Sequence, residues 1–246
     1  MAYIGIMKPN PLWLNWSGGK DCTMALWLLS QDPAFRVARL VTTLSQAHRR
    51  VSMHGVREAL LDRQAESLGI PLKKIWLPEH AGMEQYSQVM VTAVGELLEE
   101  GIALAAFGDI FLEDLRLWRE SQLSGQGVKA LFPVWGRNSG ELAREFIAAG
   151  FRAIVVCVNH RWLDPGFAGK PFGPEFLDGL PPGVDPCGEN GEFHTFVYDG
   201  PLFSNPIAFR QTEIVEREYP APGGGQDDQQ EANSRFRFTF QDLEPA

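Results

Sequence analysis

The chain has 246 residues, 44% of them hydrophobic and 22% charged, and a formal net charge of −9. That is the composition of a globular protein with a substantial core, and its acidic balance, broken only by the short cluster His48-Arg49-Arg50, leaves nucleic acid out of the expected partners. No apolar run nears the roughly 20 residues that span a bilayer; with no secretory pattern in residues 1–10 and no Cys-x-x-Cys pair among Cys22, Cys157 and Cys187, the expected location is the cytoplasm, away from any membrane.

Leu12 to Trp16 reads as a buried strand that breaks into Ser17-Gly18-Gly19-Lys20-Asp21. Met24, Ala25, Leu28 and Leu29 then make an apolar helical stripe. A glycine turn opening a helix has the chemistry of a phosphate site. The glycines admit positive φ and close backbone approach, and the helix start offers free N–H groups and a positive dipole end. Lys20 adds a charge and Ser17 a hydroxyl. The pattern is not a Walker A loop, because Leu14 stands where its first glycine belongs and Asp21 follows the lysine. Cys22 reads as a small packing residue; the alternative is a thiol acidified by the helix start.

Arg39–Thr43 reads as a second strand, and His54–Leu68 as a helix stopped by Gly69 and Pro71. Lys74–Leu77 is a strand, Met83–Glu100 a helix, and Ile102–Phe107 a buried strand running into Gly108-Asp109. Phe111–Gln122 is a helix and Ala130–Trp135 a fifth strand. This alternation predicts an α/β fold, a parallel sheet with helices on both faces. Ligands bind such sheets beyond the carboxyl ends of the strands, so Ser17–Asp21 and Gly108-Asp109 are expected to face one crevice.

The second half differs. Ser139–Ala149 is a helix and Ala153–Val158 a β-branched strand; residues 165–188 are rich in Pro and Gly and predict short elements. Ile207–Glu218 and Arg235–Phe240 read as strands flanking a Pro/Gly/Gln/Asp-rich loop, Pro220–Ser234. Phe236, Phe238 and Phe240 alternate and are candidates to meet another subunit of a homo-oligomer. The segment Asp185–Leu202 sets carboxylates, an amide, a hydroxyl and an imidazole between glycines. It suits a metal, an amine or a polar substrate, and equally a solvated hairpin around Glu189-Asn190-Gly191 with Phe193, Phe196 and Val197 in the core. Past the turn, Glu192 and His194 are expected on one face and Phe193 on the other. Cys187, His194 and His160 have no usual zinc spacing.

Taken together, these segments resemble the diphthine–ammonia ligase family, a branch of the ATP pyrophosphatases. The likeness runs through Ser17–Asp21, His54-Gly55-Val56, Gln64–Pro71, Phe107–Ile110 with Arg116, Pro133–Gly136 and Gly188–Thr195. It departs at Cys22, where the family loop has Ser, and at Gly166 and Ala168, where it has Ser and Leu. The resemblance implies a Rossmann-like, adenine nucleotide alpha hydrolase-like ATP domain over residues 1–136 and a smaller α+β recognition domain over 137–246. It also implies that ATP, with Mg²⁺, adenylates a carboxylate acceptor, small or protein-borne, and that ammonia then displaces AMP to form an amide. Diphthine itself occurs on elongation factor 2 of archaea and eukaryotes.

Carried onto this chain, the resemblance assigns Ser17, Gly18, Gly19, Lys20, Asp21 and Cys22 to the phosphates, Thr42 and Thr43 at the end of the second strand to the nucleoside, and Gly108 and Asp109 to the same ligand. Asp21 and Asp109 are the metal candidates, though Asp109 could instead cap the helix from Phe111. Arg116, Glu189, Asn190, Glu192 and Thr195 are assigned to the acceptor or ammonia, with a surface ion pair as the other account of Arg116. Lys20 and Asp21 are placed in the chemistry, Glu192 as the base that takes a proton from ammonium, and His194 as its rival. Two other readings stay open: a nucleotide-binding sensor without turnover, and a tRNA thiolase of the same superfamily.

Overall fold

Trp13 faces away from Leu12 and Leu14, and that alternation fixes the two sides of the first strand. The computed structural model describes residues 8–51, 54–78, 82–220 and 235–246. The first half runs β1 (Asn10–Asn15), α1 (Lys20–Gln31), β2 (Phe35–Ser45), α2 (Glu58–Leu68), β3 (Leu72–Leu77), α3 (Met83–Glu99), β4 (Leu104–Ala106), α4 (Glu113–Ser124) and β5 (Lys129–Leu131). The five strands form a parallel sheet in the order β3-β2-β1-β4-β5. Leu12 and Leu14 pack with Ala25 and Leu26 of α1 and Leu60 and Leu61 of α2. Trp13 packs on the other side with Val94 and Leu97 of α3 and Leu123 of α4. Helices therefore cover both faces, as expected. The strand order reverses between β1 and β4, so the crevice of such folds lies over these two strand ends.

The second half continues with α5 (Ser139–Ala148), β6 (Arg152–Asn159), β7 (Pro171–Phe172), α6 (Pro174–Asp178), β8 (Phe193–Asp199), β9 (Phe209–Pro220) and β10 (Arg235–Pro245). β6 pairs antiparallel with β7, β8 and β10, and β9 lies outside β10. α1 is shared by both sheets. Ala25 and Leu26 join a core that includes Ile154, Val156 and Phe196, while Met24 packs with Val155, Phe193 and Val197. The start of α1 is thereby wedged between the two halves.

Several boundaries differ from expectation. The helix expected from His54 begins at Glu58, because Arg50 and Arg57 form a bridge and Gly55 takes φ +70°. The strand expected to reach Trp135 stops at Leu131, where Pro133 removes a donor and the chain turns so that Gly136 N–H donates to Ile110 O. β2 runs on to Ser45, so Thr42 and Thr43 lie inside the strand, opposite Lys74 and Ile75 of β3. The loop expected at Pro220–Ser234 lies, beyond Pro220 itself, outside the described residues, as do residues 1–7. Phe238 is buried, and it and Phe240 pack on Tyr219 of the same chain. The basic cluster is tied down internally: Arg49 pairs with Glu58 at 2.6 Å, and Arg50 with Asp242 at 2.5 Å.

Candidate functional site

The turn after β1 is built to bring backbone close to backbone. Gly18 has φ +80°, and a Cβ there would lie 2.7 Å from Gln64 Oε1. A Cβ on Gly108 would lie 2.8 Å from Cys22 N, so the β4 end touches the first turn of α1. The two glycine motifs meet, as the strand alternation required. Gln64 fixes the turn from below: it accepts from Trp16 Nε1 at 2.9 Å and donates to Gly18 O at 3.1 Å and Val197 O at 2.6 Å. β8 closes over it, with Val197 N–H donating to Gly18 O (2.9 Å) and Lys20 N–H to Thr195 Oγ1 (3.1 Å).

Lys20 opens α1 and its side chain is only 3% exposed. Its ammonium lies 2.8 Å from Asp21 Oδ2, donates to Cys187 O, and stands 5.2 Å from the Phe193 ring centre. Burial pulls its pKa down, but Asp21, Cys187 and Glu189 together outweigh burial and leave it raised, so Lys20 stays charged. Asp21 is partly exposed, at 29%.

The acidic segment is a self-bonded loop. Asp185 Oδ2 accepts from the N–H groups of Cys187 and Glu189, each at 3.0 Å. Glu192 is fully buried; its Oε1 accepts from Asp185 N–H (3.0 Å) and Asn190 Nδ2 (2.9 Å), while its Oε2 has no partner. Glu189 Oε1 accepts from Ile110 N–H at 2.7 Å, next to Gly108-Asp109. Burial, with the negative charges of Asp21 and Asp109 adding to it, pushes the Glu189 carboxyl up to about 7. The loop thus reaches both glycine motifs.

His194 does not share a patch with the Glu192 carboxylate, which turns back into its own loop. It stacks instead on His54, ring centres 4.1 Å apart. His54 Cε1 lies 3.4 Å from where a Gly19 Cβ would stand, and His54 Nδ1 is buried without a partner among the described residues. Burial, then the charge of Lys20, lowers His194 to about 4; burial, then His194 and Lys20, holds His54 well below its ordinary value. Both rings are neutral at pH 7. His54 and Gln64 are the site residues that sequence reasoning missed. The signal was present in the His-Gly pair and in the Gln64–Pro71 segment, but a lone His or Gln on a helical pattern reads first as structure.

The remaining candidates stand as follows. The Cys22 thiol donates to Gly19 O at 3.1 Å, and burial pushes its pKa up, so the helix start does not acidify it. Asp109 caps no helix, since α4 begins at Glu113 with Leu112 before it; its carboxylate is held by Arg119 Nε at 2.7 Å. Arg116 pairs with Glu120 at 3.0 Å and stacks 4.7 Å from the Trp135 ring, which is a surface ion pair. Thr42 and Thr43 are not at a strand end. They do lie level with the end of β1, whose Trp16 N–H donates to Val41 O, and Thr42 Oγ1 is buried and unpartnered. His160 Nε2 bonds Thr239 Oγ1. Among the described residues no three His, Cys, Asp or Glu side chains cluster to hold a metal ion. At Gly166 the N–H donates to Asp164 Oδ1 (2.8 Å), and a Cβ would stand 3.0 Å from that oxygen.

Family models for the N-terminal and C-terminal domains of diphthamide synthase match residues 12–130 and 138–219. The diphthine–ammonia ligase of Bos taurus is 33% identical over 126 residues, 47% of this chain and 44% of that protein. That of Danio rerio is 27% identical over 173 residues, 63% of this chain and 67% of that protein. The chain spans less than half the length of the first curated relatives it matches. Among solved structures, the U34-tRNA thiolase NcsA from Methanococcus maripaludis, with its 4Fe–4S cluster, aligns over 58% of each chain at 18% identity and a TM-score of 0.35, a likeness too slight to build on.

Proposed function

Because this chain belongs to the diphthamide synthase family, whose two domain models match most of its sequence, we propose that it is an ATP-dependent ligase joining a carboxylate to ammonia. A carboxylate oxygen of the acceptor attacks the α-phosphorus of ATP, the bond to the β-phosphate oxygen breaks, and pyrophosphate leaves. Ammonia attacks the acyl carbon, AMP departs with the electron pair of the bond between that carbon and the phosphate oxygen, and the nitrogen loses its extra proton to water. Activation is needed because a bare carboxylate has no usable leaving group.

One observation carries this reading. The ammonium of Lys20, at the glycine turn, bonds Cys187 O inside the acidic loop, so a phosphate-binding element and an amine-binding element share one place. Ser17, Gly18, Gly19, Lys20, Asp21 and Cys22 hold the phosphates, mainly through backbone N–H groups and the Lys20 charge. Thr42, with its free hydroxyl, and Thr43 read the nucleoside. Gly108 walls the crevice. Glu189, Asn190 and Thr195 orient the acceptor and ammonia, and the unpartnered Oε2 of Glu192 takes the proton of ammonium. His194, neutral at pH 7 and stacked on His54, is the rival base.

For Mg²⁺, the candidate donors are the carboxylates of Asp21 and Asp109, of which Asp21 is the more exposed. Mg²⁺ is usually held by one or two carboxylates together with substrate phosphates, and Asp21 is partly exposed beside the turn. The Asp109 carboxylate lies 2.7 Å from Arg119, as that of Asp21 lies 2.8 Å from Lys20. When bound at Asp21, the ion would neutralise charge on the departing pyrophosphate. The division at residues 136 and 137, and a cytoplasmic setting, belong to the same reading. No helix among the described residues is long and apolar enough to cross a membrane.

The test is incubation with ATP, Mg²⁺, ammonium and a panel of carboxylic acids, diphthine first. AMP and pyrophosphate appearing only when an acid is present supports the ligase. Tight ATP binding without turnover under every condition overturns it in favour of a sensor.

A further inference from the structure

A cleft opens on the face of the parallel sheet that α3 and α4 cover. Trp13 of β1 and Phe107, just past β4, form its floor, edge to face with ring centres 5.6 Å apart. Tyr86 of α3 and Trp118 of α4 wall it, ring centres 6.3 Å apart. Counted out to its open mouth it encloses about 520 Å³, within the ~300–1,000 Å³ of small-molecule sites. Trp13 is 1% exposed, and its Nε1 has no partner among the described residues. An interior N–H left unpaired costs free energy, which the π-face or an acceptor atom of a guest would offset. Among the described residues that line the cleft, Arg119 is the only charged one, its guanidinium 4.4 Å from the centre of the Phe107 ring. Its ion-pair partner Asp109 is not part of the lining.

We propose that this cleft holds the ring of the acid to be adenylated, and that the acceptor is a carboxylic acid bearing a flat, uncharged ring; this rests on the ligase reading. Aromatic walls suit a flat ring, by offset-stacked or edge-on contact. Aromatic cages also hold cations, but here the charged group in the lining is itself a cation, and no lining carboxylate offsets it. A positively charged ring is thereby disfavoured, and the negative carboxylate of the acid is favoured. The cleft lies apart from the nucleoside. Leu40 and Leu44 join the core with α1 and α2, and Val41 the core with α3 and α4. Alternation then turns Thr42 to the first side, across the sheet from the cleft. The cleft's inner end adjoins the reacting groups: Asn15, in the lining, is two residues ahead of Ser17, and Phe107 directly precedes Gly108. Arg119 lies 2.7 Å from Asp109, and the next residue, Ile110, donates its N–H to Glu189 of the acidic loop. A ring seated against Tyr86 and Trp118 therefore sends its carboxylate over the ends of β1 and β4, where the glycine turn lies.

Calorimetric titration of the full chain with m-toluate, its cationic isostere N-methylnicotinate, the puckered cyclohexanecarboxylate and acetate tests it, beside AMP release from ATP with each acid. m-Toluate is expected to bind at least about tenfold tighter than each of the others. Trp118→Ala and Tyr86→Ala, at two half-buried positions on opposite walls, should each weaken m-toluate binding about tenfold. Circular dichroism melts confirm that each variant is folded. In the AMP assay each should raise the KM for m-toluate about tenfold and move the KM for acetate less than about twofold, a split that general loosening of the fold would not give. No preference for m-toluate, or binding indifferent to both wall variants, overturns the proposal. If m-toluate binds in the cleft but no acid yields AMP, the ligase reading falls and the acceptor assignment falls with it. If acetate and cyclohexanecarboxylate yield AMP as efficiently as m-toluate, the ligase reading stands and the cleft assignment alone is overturned.

Discussion

Two buried carboxylates of the second half have opposite surroundings. Asp242, on β10, is gripped by Arg50 Nη1 and Arg57 Nη2, each at 2.5 Å, and accepts from Thr212 Oγ1 at 3.2 Å. Glu192 is buried as deeply and, among the described residues, has no cation against it and keeps one oxygen without any partner. A carboxylate clamped by two guanidiniums is a structural rivet, here fastening Arg50 and Arg57 to the last strand. One left half-satisfied in the interior costs free energy, and such a cost is tolerated where a ligand will meet the free atom. The contrast separates what holds the molecule together from what is kept ready for chemistry.

The largest expected effect breaks the site side of that contrast. Lys20→Ala should weaken ATP binding at least about 100-fold, since it removes the buried cation that opens α1 at the turn. Glu192→Gln keeps the acceptor oxygen for Asp185 N–H and Asn190. It should change ATP affinity less than about threefold while slowing amide formation about 100-fold. Calorimetric titration with a non-hydrolysable ATP analogue, beside a turnover assay, reads both. Equal losses of ATP affinity in the two variants would erase the division of labour.

The next effect tests the rivet. Asp242→Asn should cost about 2 kcal/mol at pH 7, below the figure for a fully buried pair because both arginines are about a third exposed. Burial pushes the Asp242 carboxyl up, but the bonds from Arg57 and Arg50 outweigh it and hold it well below the ordinary carboxylate range. A depressed folded-state pKa gives stability that is present above the unfolded value of 3.8 and lost as pH falls below it. Urea unfolding from pH 7 to pH 3 should show that acid loss in the natural chain and a shallower one in Asp242→Asn. The same turnover assay should find activity at pH 7 within about twofold, as the clamp touches no reacting group.

These two regions also differ in how far the sequence betrayed them. The glycine turn was legible because only a strand, two glycines and a lysine opening a helix make that junction, and positive φ at Gly18 follows from it. Its meeting with Gly108 followed from the topology of parallel sheets. The rivet was invisible: Arg50, Arg57 and Asp242 are separated by most of the chain, and each alone reads as a solvated charge. For the same reason the His54–His194 stack could not be read, since it forms only when β8 closes over the turn. Arg116 and Asp109 each left two accounts open, because an Arg can find a partner one turn along its own helix, as Glu120 shows, and a loop Asp ahead of a helix can meet a cation of that helix, as Arg119 shows. The end of β5 failed at Pro133, where an apolar run outlasts the strand.

A smaller effect lies on the loop beside Glu192. Glu189, raised to about 7 by burial and by Asp21 and Asp109, binds its proton more tightly in the folded state than in the unfolded one. It therefore contributes stability that is full below the ordinary value of 4.5 and lost as pH rises through 7. Glu189→Gln keeps an acceptor for Ile110 N–H and removes the charge. It should flatten the stability profile between pH 4.5 and 7 and raise stability at pH 8 by about 1 kcal/mol. Thermal melts in matched buffers check this; a profile as steep as that of the natural chain would mean that the carboxylates around Lys20 are better solvated than their burial indicates.

The smallest effect separates backbone from side chain within the glycine turn itself. If the phosphates are held by N–H groups and Lys20, the identity of residue 22 matters little. The Cys22 thiol points back to Gly19 O at 3.1 Å and lies 3.6 Å from Ser17 Oγ, so its hydrogen-bonding capacity is spent inside the turn. Cys22→Ser exchanges a weak donor for a stronger one in the same rotamer. ATP affinity is then expected to rise by no more than about threefold, and stability to move by less than about 0.5 kcal/mol. A gain of about 30-fold or more would show that the residue 22 side chain itself reaches the phosphates, and that the thiol holds this chain back where a hydroxyl would not.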